Sequence, residues 1–264
     1  MPDPVNPSKF RVSGPTLPAA TNHPTQPIYE MSVANCRKLD DLATTQYAIP
    51  SIVLMENASI GLCHHAIEML KHARTPNVFN NILIATGPGN NAGDGFALAR
   101  HLSNLGFAPV VVMTVDPKTI IGDAKINLDI ITKMSITMID AQDYLAGEPT
   151  IPGLIVDALF GTGLTRPITG IAATLINHIN TSKDAGALVL AVDVPSGLDA
   201  QTGEPTGEAV IIADRTVTFA ALKDGYRSIE AQPNLGEVFV APIGVPTELL
   251  ESLGNRVHLP RDRT

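Results

Sequence analysis

The sequence has only two cysteines, Cys36 and Cys63, and neither has a second cysteine at the spacing of a metal site. This excludes a disulfide framework and a cysteine-ligated metal centre, so both are interpreted as small apolar residues. No apolar run approaches the length of about 20 residues that spans a bilayer. Residues 1–7 hold proline and an acid where a secretory signal has basic and then apolar residues, which predicts a cytoplasmic protein.

Positive charge is also scarce. The chain has 18 Lys and Arg against 26 Asp and Glu, a formal net charge of −8. Nucleic acids and anionic membranes bind through clustered Lys and Arg, so neither is predicted as a partner. The basic stretch Arg256–Arg263 is short and is interpreted as part of a solvated tail. With 44% hydrophobic and only 17% charged residues, the chain is predicted to fold rather than to be disordered.

Composition divides the chain into three parts. Residues 1–28 are rich in proline and are predicted to be an arm without regular secondary structure. Residues 29–250 are predicted to form one α/β domain, and residues 251–264 a C-terminal tail. The domain opens with two predicted helices, one from Ser32 and a second from Ser51 to Ala66 with Ser51 as its N-cap.

Beyond these helices, continuous apolar strands alternate with helical segments. Such alternation predicts a doubly wound, mainly parallel sheet in a Rossmann-like three-layer α/β/α fold, with its site at the carboxyl ends of the strands. The predicted strands are 82–85, 109–114, 153–156, 187–194, 216–219 and 238–241, and the later predicted helices are 122–133 and 168–180.

The segment from Gly87 to Gly95 reads Gly-Pro-Gly-Asn-Asn-Ala-Gly-Asp-Gly and follows a predicted strand. Its glycines allow a sharp turn that a phosphate can approach, and the helix predicted from Phe96 adds unpaired N–H groups. The segment is therefore predicted to bind an anion, although a tight strand-to-helix turn without a ligand would also explain its composition. A second loop, Gly161–Pro167, offers backbone N–H groups and Arg166 to a phosphate.

Two further strand ends carry acids, Asp157 and Asp193. Because neighbouring parallel strands end at the same edge of a sheet, these acids are predicted to lie near the first loop. Asn91, Asp157 and Ser196 offer oxygen ligands only, which suits a hard cation such as potassium, sodium or magnesium. A hydrogen-bonded cluster without metal remains the alternative. Asp193 is predicted to transfer a proton, and Lys223 to act with it or to hold a phosphate.

These motifs resemble one known family. The segment 87–95 followed by Ala99-Arg100-His101-Leu102, the block Leu54-Met55-Glu56-Asn57-Ala58, and the closing stretch 236–246 are similar to the NAD(P)H-hydrate epimerases, the N-terminal domain type of the nicotinamide repair enzymes. Ala92 and Ser59 stand where that family commonly has glycine. Glu56 and Asn57 are interpreted either as braces for the first loop or as surface residues.

The resemblance implies a function and a set of site residues. It implies an isomerase that interconverts the R and S epimers of hydrated NADH and NADPH, with Asp193 as the catalytic group that binds the nicotinamide. It also implies one potassium ion per subunit on Asn91, Asp157 and Ser196, a homodimer, and a separate dehydratase as pathway partner. The substrate residues that it implies, beside Asp193, are Asn90, Asn91, Ala92, Gly93, Asp94, Gly161, Thr162, Gly163, Leu164, Thr165, Arg166 and Pro167.

Two other functions fit part of the sequence. The pattern Gly87-x-Gly89-x-x-Ala92 with Asp116 after the next strand matches the dinucleotide fingerprint of an NAD-dependent dehydrogenase. It leaves Asp157 and Asp193 unexplained. A non-catalytic dinucleotide-binding or scaffold protein would have no physical need of the polar residues at three strand ends, so the isomerase is preferred.

Overall fold

The apolar segments build one parallel sheet in the computed structural model, which describes residues 10–12, 27–72, 81–148 and 150–257. The strands are β1 Phe10–Val12, β2 Ile28–Met31, β3 Ile82–Thr86, β4 Pro109–Met113, β5 Thr137–Asp140, β6 Leu154–Ala158, β7 Leu188–Val192, β8 Arg215–Phe219, β9 Leu222–Lys223, β10 Glu237–Ala241 and β11 Asn255–Val257. The helices are α1 Val33–Thr45, α2 Ser51–Leu70, α3 Asn90–Asn104, α4 Gly122–Lys133, α5 Ala141–Ala146, α6 Gly170–Asp184, α7 Gln232–Leu235 and α8 Thr247–Leu253.

The large sheet has the order β1-β10-β8-β7-β6-β3-β4-β5, and all of its strand pairs are parallel. The chain runs outward from β3 through β4 to β5 and then returns to β6 on the other side of β3. This reversal opens a crevice at the carboxyl ends of β3 and β6, where ligands bind in open α/β sheets. The predicted doubly wound parallel fold is confirmed.

Helices cover both faces of this sheet. On one face Leu62 of α2, Phe96 of α3 and Leu128 of α4 pack in one apolar cluster with Ile84 of β3. On the other face α5 and α6 contribute Ala141, Leu175 and Ile176 to a second cluster. The central strands are buried on both sides, which is why they read as continuous apolar runs rather than alternating ones. No helix in the described ranges is long and apolar enough to cross a membrane.

A small second sheet, with the order β11-β2-β9, lies beside the large one. β11 pairs antiparallel with β2, and β2 pairs parallel with β9, so that Met31 lies opposite Lys223. The predicted tail is therefore wrong for its first residues, because α8 extends to Leu253 and β11 includes Arg256. The side chains of α1, α8 and β2 share a third apolar cluster that contains Leu39 and Leu249.

The predicted arm is also partly wrong. Phe10–Val12 pairs with β10 as an edge strand despite the prolines around it, because an edge strand needs partners on one side only. Ile28 already belongs to β2, and the other predicted arm residues except Pro27 lie outside the described part of the chain. At the second helix, Pro50 is the N-cap and Ser51 is the first helical residue, whereas Ser32 caps α1 by accepting from Asn35 N at 3.1 Å.

Candidate active site

A cavity of about 220 Å³ opens at the carboxyl ends of the central strands, beneath α1 and α2. Its polar lining comes from the loops that the sequence singled out, since Asn90, Asp94, Thr162, Asp193 and Lys223 all line it. Its apolar lining comes from α1, α2 and the segments after β8 and β10, with Leu39, Leu54, Met55, Ala58, Phe219, Ala220 and Ile243. The cavity thus joins apolar walls to carboxyl groups.

The first glycine-rich loop becomes a helix earlier than predicted. α3 begins at Asn90 rather than at Phe96, and its N-cap is Gly89, which offers no side chain to the first N–H groups. Those N–H groups are available to an anion, as the sequence predicted for this end of the helix. Asn90 is exposed at the cavity wall, whereas a Cβ on Gly87 would lie 2.1 Å from the Leu159 carbonyl oxygen. The lack of a side chain at Gly87 therefore allows the loop after β3 to contact the segment after β6.

The other residues of the first loop differ in their surroundings, because some are packed in the core and one lines the cavity. Ala92 is fully buried in the apolar cluster between α2, α3 and α4. A Cβ on Gly93 would lie 2.7 Å from Met55 Sδ and 2.9 Å from Ala124 Cα, so Gly93 allows close packing of α3 on α2 and α4. Neither residue lines the cavity with a side chain. Asp94 does line it, although its residue is only 7% exposed.

The second loop, Gly161–Pro167, lies at the mouth of the cavity. Thr162 lines the cavity, and its carbonyl accepts a hydrogen bond from Arg37 of α1 at 3.2 Å. Leu164 is half-buried against the cluster beneath α6. Gly163, Thr165, Arg166 and Pro167 are exposed and are not part of the cavity lining. The Arg166 guanidinium has no hydrogen bond or ion pair to any described residue, so it is free to bind an anion.

Asp157 and Ser196 form a buried hydrogen-bonded unit between the ends of β6 and β7. Ser196 Oγ donates to Asp157 Oδ1 at 2.6 Å, and Ser196 N donates to Oδ2 at 2.8 Å. Leu159 N adds a 3.2 Å bond to Oδ1. Burial raises the pKa of Asp157 to about 6, and the bonds from Ser196 and Leu159 oppose that rise. The sequence prediction that these strand ends meet is confirmed for this pair.

Asn91 adds a third oxygen-bearing side chain from α3. Its Nδ2 atom is buried and has no hydrogen-bond partner among the described residues, and a Cβ on Gly161 would lie 3.2 Å from its Oδ1 atom. A glycine at 161 thus leaves room beside an amide whose hydrogen bonding is incomplete. In the described ranges no group of three or more His, Cys, Asp or Glu side chains is placed to hold a metal. The side-chain oxygens of Asn91, Asp157 and Ser196 are the kind of donor that a hard cation takes, and the His and Cys ligands that zinc favours are not among them.

Asp193 is held in an unusual backbone conformation at the cavity. Its φ is 61°, a left-handed value that costs free energy for a residue with a side chain, and that persists where surrounding contacts enforce it. Asp193 N donates to Val217 O at 2.8 Å, and Tyr226 OH donates to the Asp193 carbonyl. The carboxylate accepts bonds at Oδ1 from Thr218 Oγ1 at 3.0 Å and from Phe219 N at 3.3 Å. These contacts hold the Asp193 carboxyl group in one orientation at the cavity wall.

Lys223 is the counter-charge of Asp193. Its Nζ atom lies 2.7 Å from Asp193 Oδ1 and donates to Thr218 Oγ1 at 2.9 Å and to the carbonyls of Phe219 and Ala221. Burial is the largest influence and lowers the pKa of Lys223, but Asp193, Cys36 and Asp40 together outweigh it and the net shift of the pKa is upward. At 2% exposure and with these partners, Lys223 positions Asp193 and has no free donor for a phosphate.

Several contributors to the site were missed by the sequence analysis. Tyr226 and Thr218 hold Asp193, and Asp40 of α1 lines the cavity. Asp40 is followed by Asp41, and two adjacent acids on a predicted helix are typical of an ordinary solvated face. Glu56 and Asn57 brace the site: Glu56 pairs with Arg100 and lies 3.1 Å from His101 Nε2, and Asn57 donates to Ile243 O at 2.9 Å.

Asp116, which the dehydrogenase interpretation needs beside a ribose, has a different role here. It caps the short 3₁₀ turn Pro117–Thr119 by accepting from Lys118 N at 2.9 Å, and it is not part of the cavity lining. The acids that do line the cavity are Asp40, Asp94, Asp123 and Asp193. The arrangement therefore suits proton transfer on a bound ligand more than recognition of a ribose by Asp116.

Known proteins share this sequence over most of its length. The family described as YjeF-related protein N-terminus matches residues 51–225. The NAD(P)H-hydrate epimerase of Rhodopirellula baltica is 37% identical over 229 residues, which cover 85% of this chain and 89% of that protein. The bifunctional NAD(P)H-hydrate repair enzyme of Moorella thermoacetica is 40% identical over 233 residues, which cover 84% of this chain and 42% of that longer protein.

A solved structure has the same fold. The crystal structure of yeast ynu0, YNL200c, matches with a TM-score of 0.71 at 20% identity and covers 88% of this chain and 96% of that one. Identity at this level supports the common fold alone. The sequence matches at 37% and 40% identity show the family as well as the fold, because they extend across most of the chain. The chain belongs to the family of the YjeF-related protein N-terminus, which is the family of the NAD(P)H-hydrate epimerases.

Proposed function

We propose that this protein is an NAD(P)H-hydrate epimerase, an isomerase that interconverts the R and S epimers of hydrated NADH and NADPH. The single observation that carries the proposal is Asp193, a carboxylate aimed into the cavity by a left-handed backbone and paired with the buried Lys223. Relatives named NAD(P)H-hydrate epimerase support it. Epimerisation at the hydroxyl-bearing ring carbon needs a proton to move and no change of redox state.

The surroundings of Asp193 suit a hydrated nicotinamide ring. The ring would lie against the apolar wall that includes Leu54 and Phe219, and its hydroxyl group would face the carboxyl groups. The uncapped start of α3 and the exposed Arg166 would hold the phosphates of the dinucleotide. The substrate would thus be anchored far from the reacting carbon and oriented at it.

A potassium ion is proposed as the resident cation, held by Asn91, Asp157 and Ser196. The proposal is supported by the oxygen donors of these three side chains and by the buried Asp157, which has no cationic partner among the residues described. When bound, the ion would supply positive charge next to Asp157 and near the phosphates. Ser196 follows β7 closely, so the same ion would fix the loop that begins with Asp193.

The decisive experiment follows the conversion of one epimer. Purified protein is given a single epimer of hydrated NADH, and the two epimers are separated by chromatography, with potassium present and absent. Wild type is expected to equilibrate the epimers faster than buffer, and Asp193→Ala is expected to match buffer. Wild type that also matches buffer would refute the epimerase proposal and would favour a dehydrogenase or a non-catalytic binding protein instead.

The same proposal includes three statements about context. A separate dehydratase is proposed to act on the substrate, since several longer relatives are named bifunctional repair enzymes. A homodimer is proposed from the family resemblance and is tested by light scattering of the purified protein. The cytoplasm is proposed as the location, as the sequence predicts.

A further inference from the structure

A second carboxyl group in the cavity differs sharply from Asp193. Asp94, in the second turn of α3, is only 7% exposed and lines the same cavity. Its backbone carbonyl accepts a bond from Ser59 Oγ at 3.3 Å. Its carboxyl group, however, has neither a hydrogen bond nor an ion pair within the described part of the chain. Because Asp94 lines the cavity, its unpartnered carboxyl oxygens are accessible from the cavity and can contact a ligand bound there.

The surroundings of the two carboxyl groups differ. The Asp193 carboxyl group contacts Lys223 Nζ, Thr218 Oγ1 and the backbone N–H of Phe219. Asp94 has no such donor. Burial first, and then the negative charges of Asp193 and Asp40, raise the pKa of Asp94 well above its ordinary range. The cavity thus holds two carboxyl groups of different kind, one paired with a lysine and one without a partner, of which Asp94 is the one that burial favours in its proton-carrying form.

We infer that Asp94 and Asp193 act as an acid–base pair that shares one proton across the hydrated ring carbon, with Asp94 as a second catalytic residue. The inference rests on the proposed epimerase function and deepens it. Asp94 and Asp193 come from different elements, α3 and the loop after β7, so a ring carbon bound between them would meet one carboxyl from each. A single carboxylate would have to serve both faces of the ring.

The proposed reaction balances with water alone. For one epimer, the Asp94 carboxyl donates its proton to the hydroxyl oxygen, the carbon–oxygen bond breaks, and water leaves with the bonding electrons. The lone pair of the ring nitrogen forms a double bond to that carbon. A new water then attacks from the opposite face, the double-bond electrons return to nitrogen, and Asp193 takes a proton from the attacking water. The proton that Asp193 has taken returns to Asp94 through solvent water before the next conversion in the same direction, and the other epimer reacts by the reverse sequence.

An isotope experiment tests the departure of water. Wild type is given one epimer in water enriched in oxygen-18, and the product epimer is analysed by mass spectrometry at early conversion, against a buffer control. Each inversion is expected to introduce one oxygen-18 atom. Product that keeps the original oxygen would overturn the inference, because the ring would then open and close at the carbon–nitrogen bond without loss of water.

Substitution tests the role of Asp94 itself. Asp94→Asn keeps the shape and loses the transferable proton, so kcat is expected to fall by about 100-fold or more with KM within about 3-fold. The matched control is Asp129→Asn, an exposed acid on α4 that is not part of the cavity, which is expected to keep wild-type activity. Should Asp94→Asn fold poorly, Asp94→Ala with added formate replaces it, and partial recovery of kcat is expected.

The outcomes separate this inference from the proposed function. Wild type that does not convert epimers refutes the epimerase proposal. Active wild type together with Asp94→Asn at more than a third of its kcat refutes the acid–base pair and leaves the epimerase proposal standing. Loss through KM alone would also refute it, because a group that only binds the substrate need not carry a proton.

Discussion

Replacing Lys223 by methionine tests the ion pair that fixes Asp193. Methionine is close to lysine in length and is apolar, so the change removes a charge from a side chain that is 2% exposed without opening a large cavity. The variant loses the 2.7 Å contact to Asp193 and the bonds to Thr218, Phe219 O and Ala221 O. Asp193 keeps its bonds from Thr218 and Phe219 but has no counter-charge.

The expected loss is large. Removing one partner of a buried ion pair costs about 3–5 kcal/mol, since the other charge stays behind without compensation. The pKa of Lys223 is raised in the folded protein, so the stability that the pair contributes is fully present below the ordinary lysine pKa and is lost as pH rises through the raised value. A comparison at pH 7 therefore measures the whole contribution.

Urea unfolding followed by circular dichroism gives the free energy of unfolding of both forms. The control is Lys38→Met, at an exposed position of α1, for which a change within about 0.5 kcal/mol is expected. Epimerisation is measured on the same samples and is expected to fall with the loss of Asp193 positioning. A Lys223→Met protein as stable and as active as wild type would refute the assigned role of Lys223.

Three further predictions concern other parts of the molecule. Gly93→Ala, which places a Cβ 2.7 Å from Met55 Sδ, is expected to lower the free energy of unfolding by about 1–3 kcal/mol in urea titrations. Gly163→Ala, with no atom within 4 Å of its Cβ, should change little, and equal losses would contradict the packing argument. His65 is buried with its pKa lowered to about 3, so stability should fall by about 2 kcal/mol between pH 6.5 and 4.5, and a His65→Gln protein that falls as steeply would exclude His65 as the cause. The pKa of Asp157 is raised to about 6, so its ionisation destabilises the fold as pH rises through that value, and potassium should raise the melting temperature more at pH 8 than at pH 5. An equal effect on Asp157→Asn would place the ion elsewhere.

The sequence predicts much of the fold and, within the site, the meeting of Asp157 with Ser196. Continuous apolar runs before Asp157 and Asp193 are typical of buried parallel strands, and parallel strands bring their carboxyl ends together. This logic places Asp157 beside Ser196, a contact between residues 39 apart that the structure has at 2.6 Å. This prediction needs only the direction of the strands and not the detailed packing of side chains.

The rest depends on packing that local sequence does not encode. The segment Asn90–Gly95 is too rich in glycine and asparagine to be predicted as helix, and it is helical because Gly93 and Gly95 let α3 contact neighbouring elements closely. The burial of Lys223 follows from a two-residue strand and from Ala220 at φ 61°, neither of which leaves a sequence pattern. Because the helical start of α3 was not predicted, the sequence indicated Asp94 only as a substrate-binding residue and not as a catalytic one.

The three-stranded sheet β11-β2-β9 has a consequence for the order in which the protein forms. β9 carries Lys223, its neighbour β2 comes from the start of the domain, and the other neighbour of β2 is β11, which is more than 200 residues further along the chain. A nascent chain emerging from the ribosome can pack β3, β4 and β6 with their helices while β11 is still unmade. The support beneath the Asp193 ion pair is therefore completed only when residue 257 has left the ribosome, and these long-range pairings are expected to form late in folding.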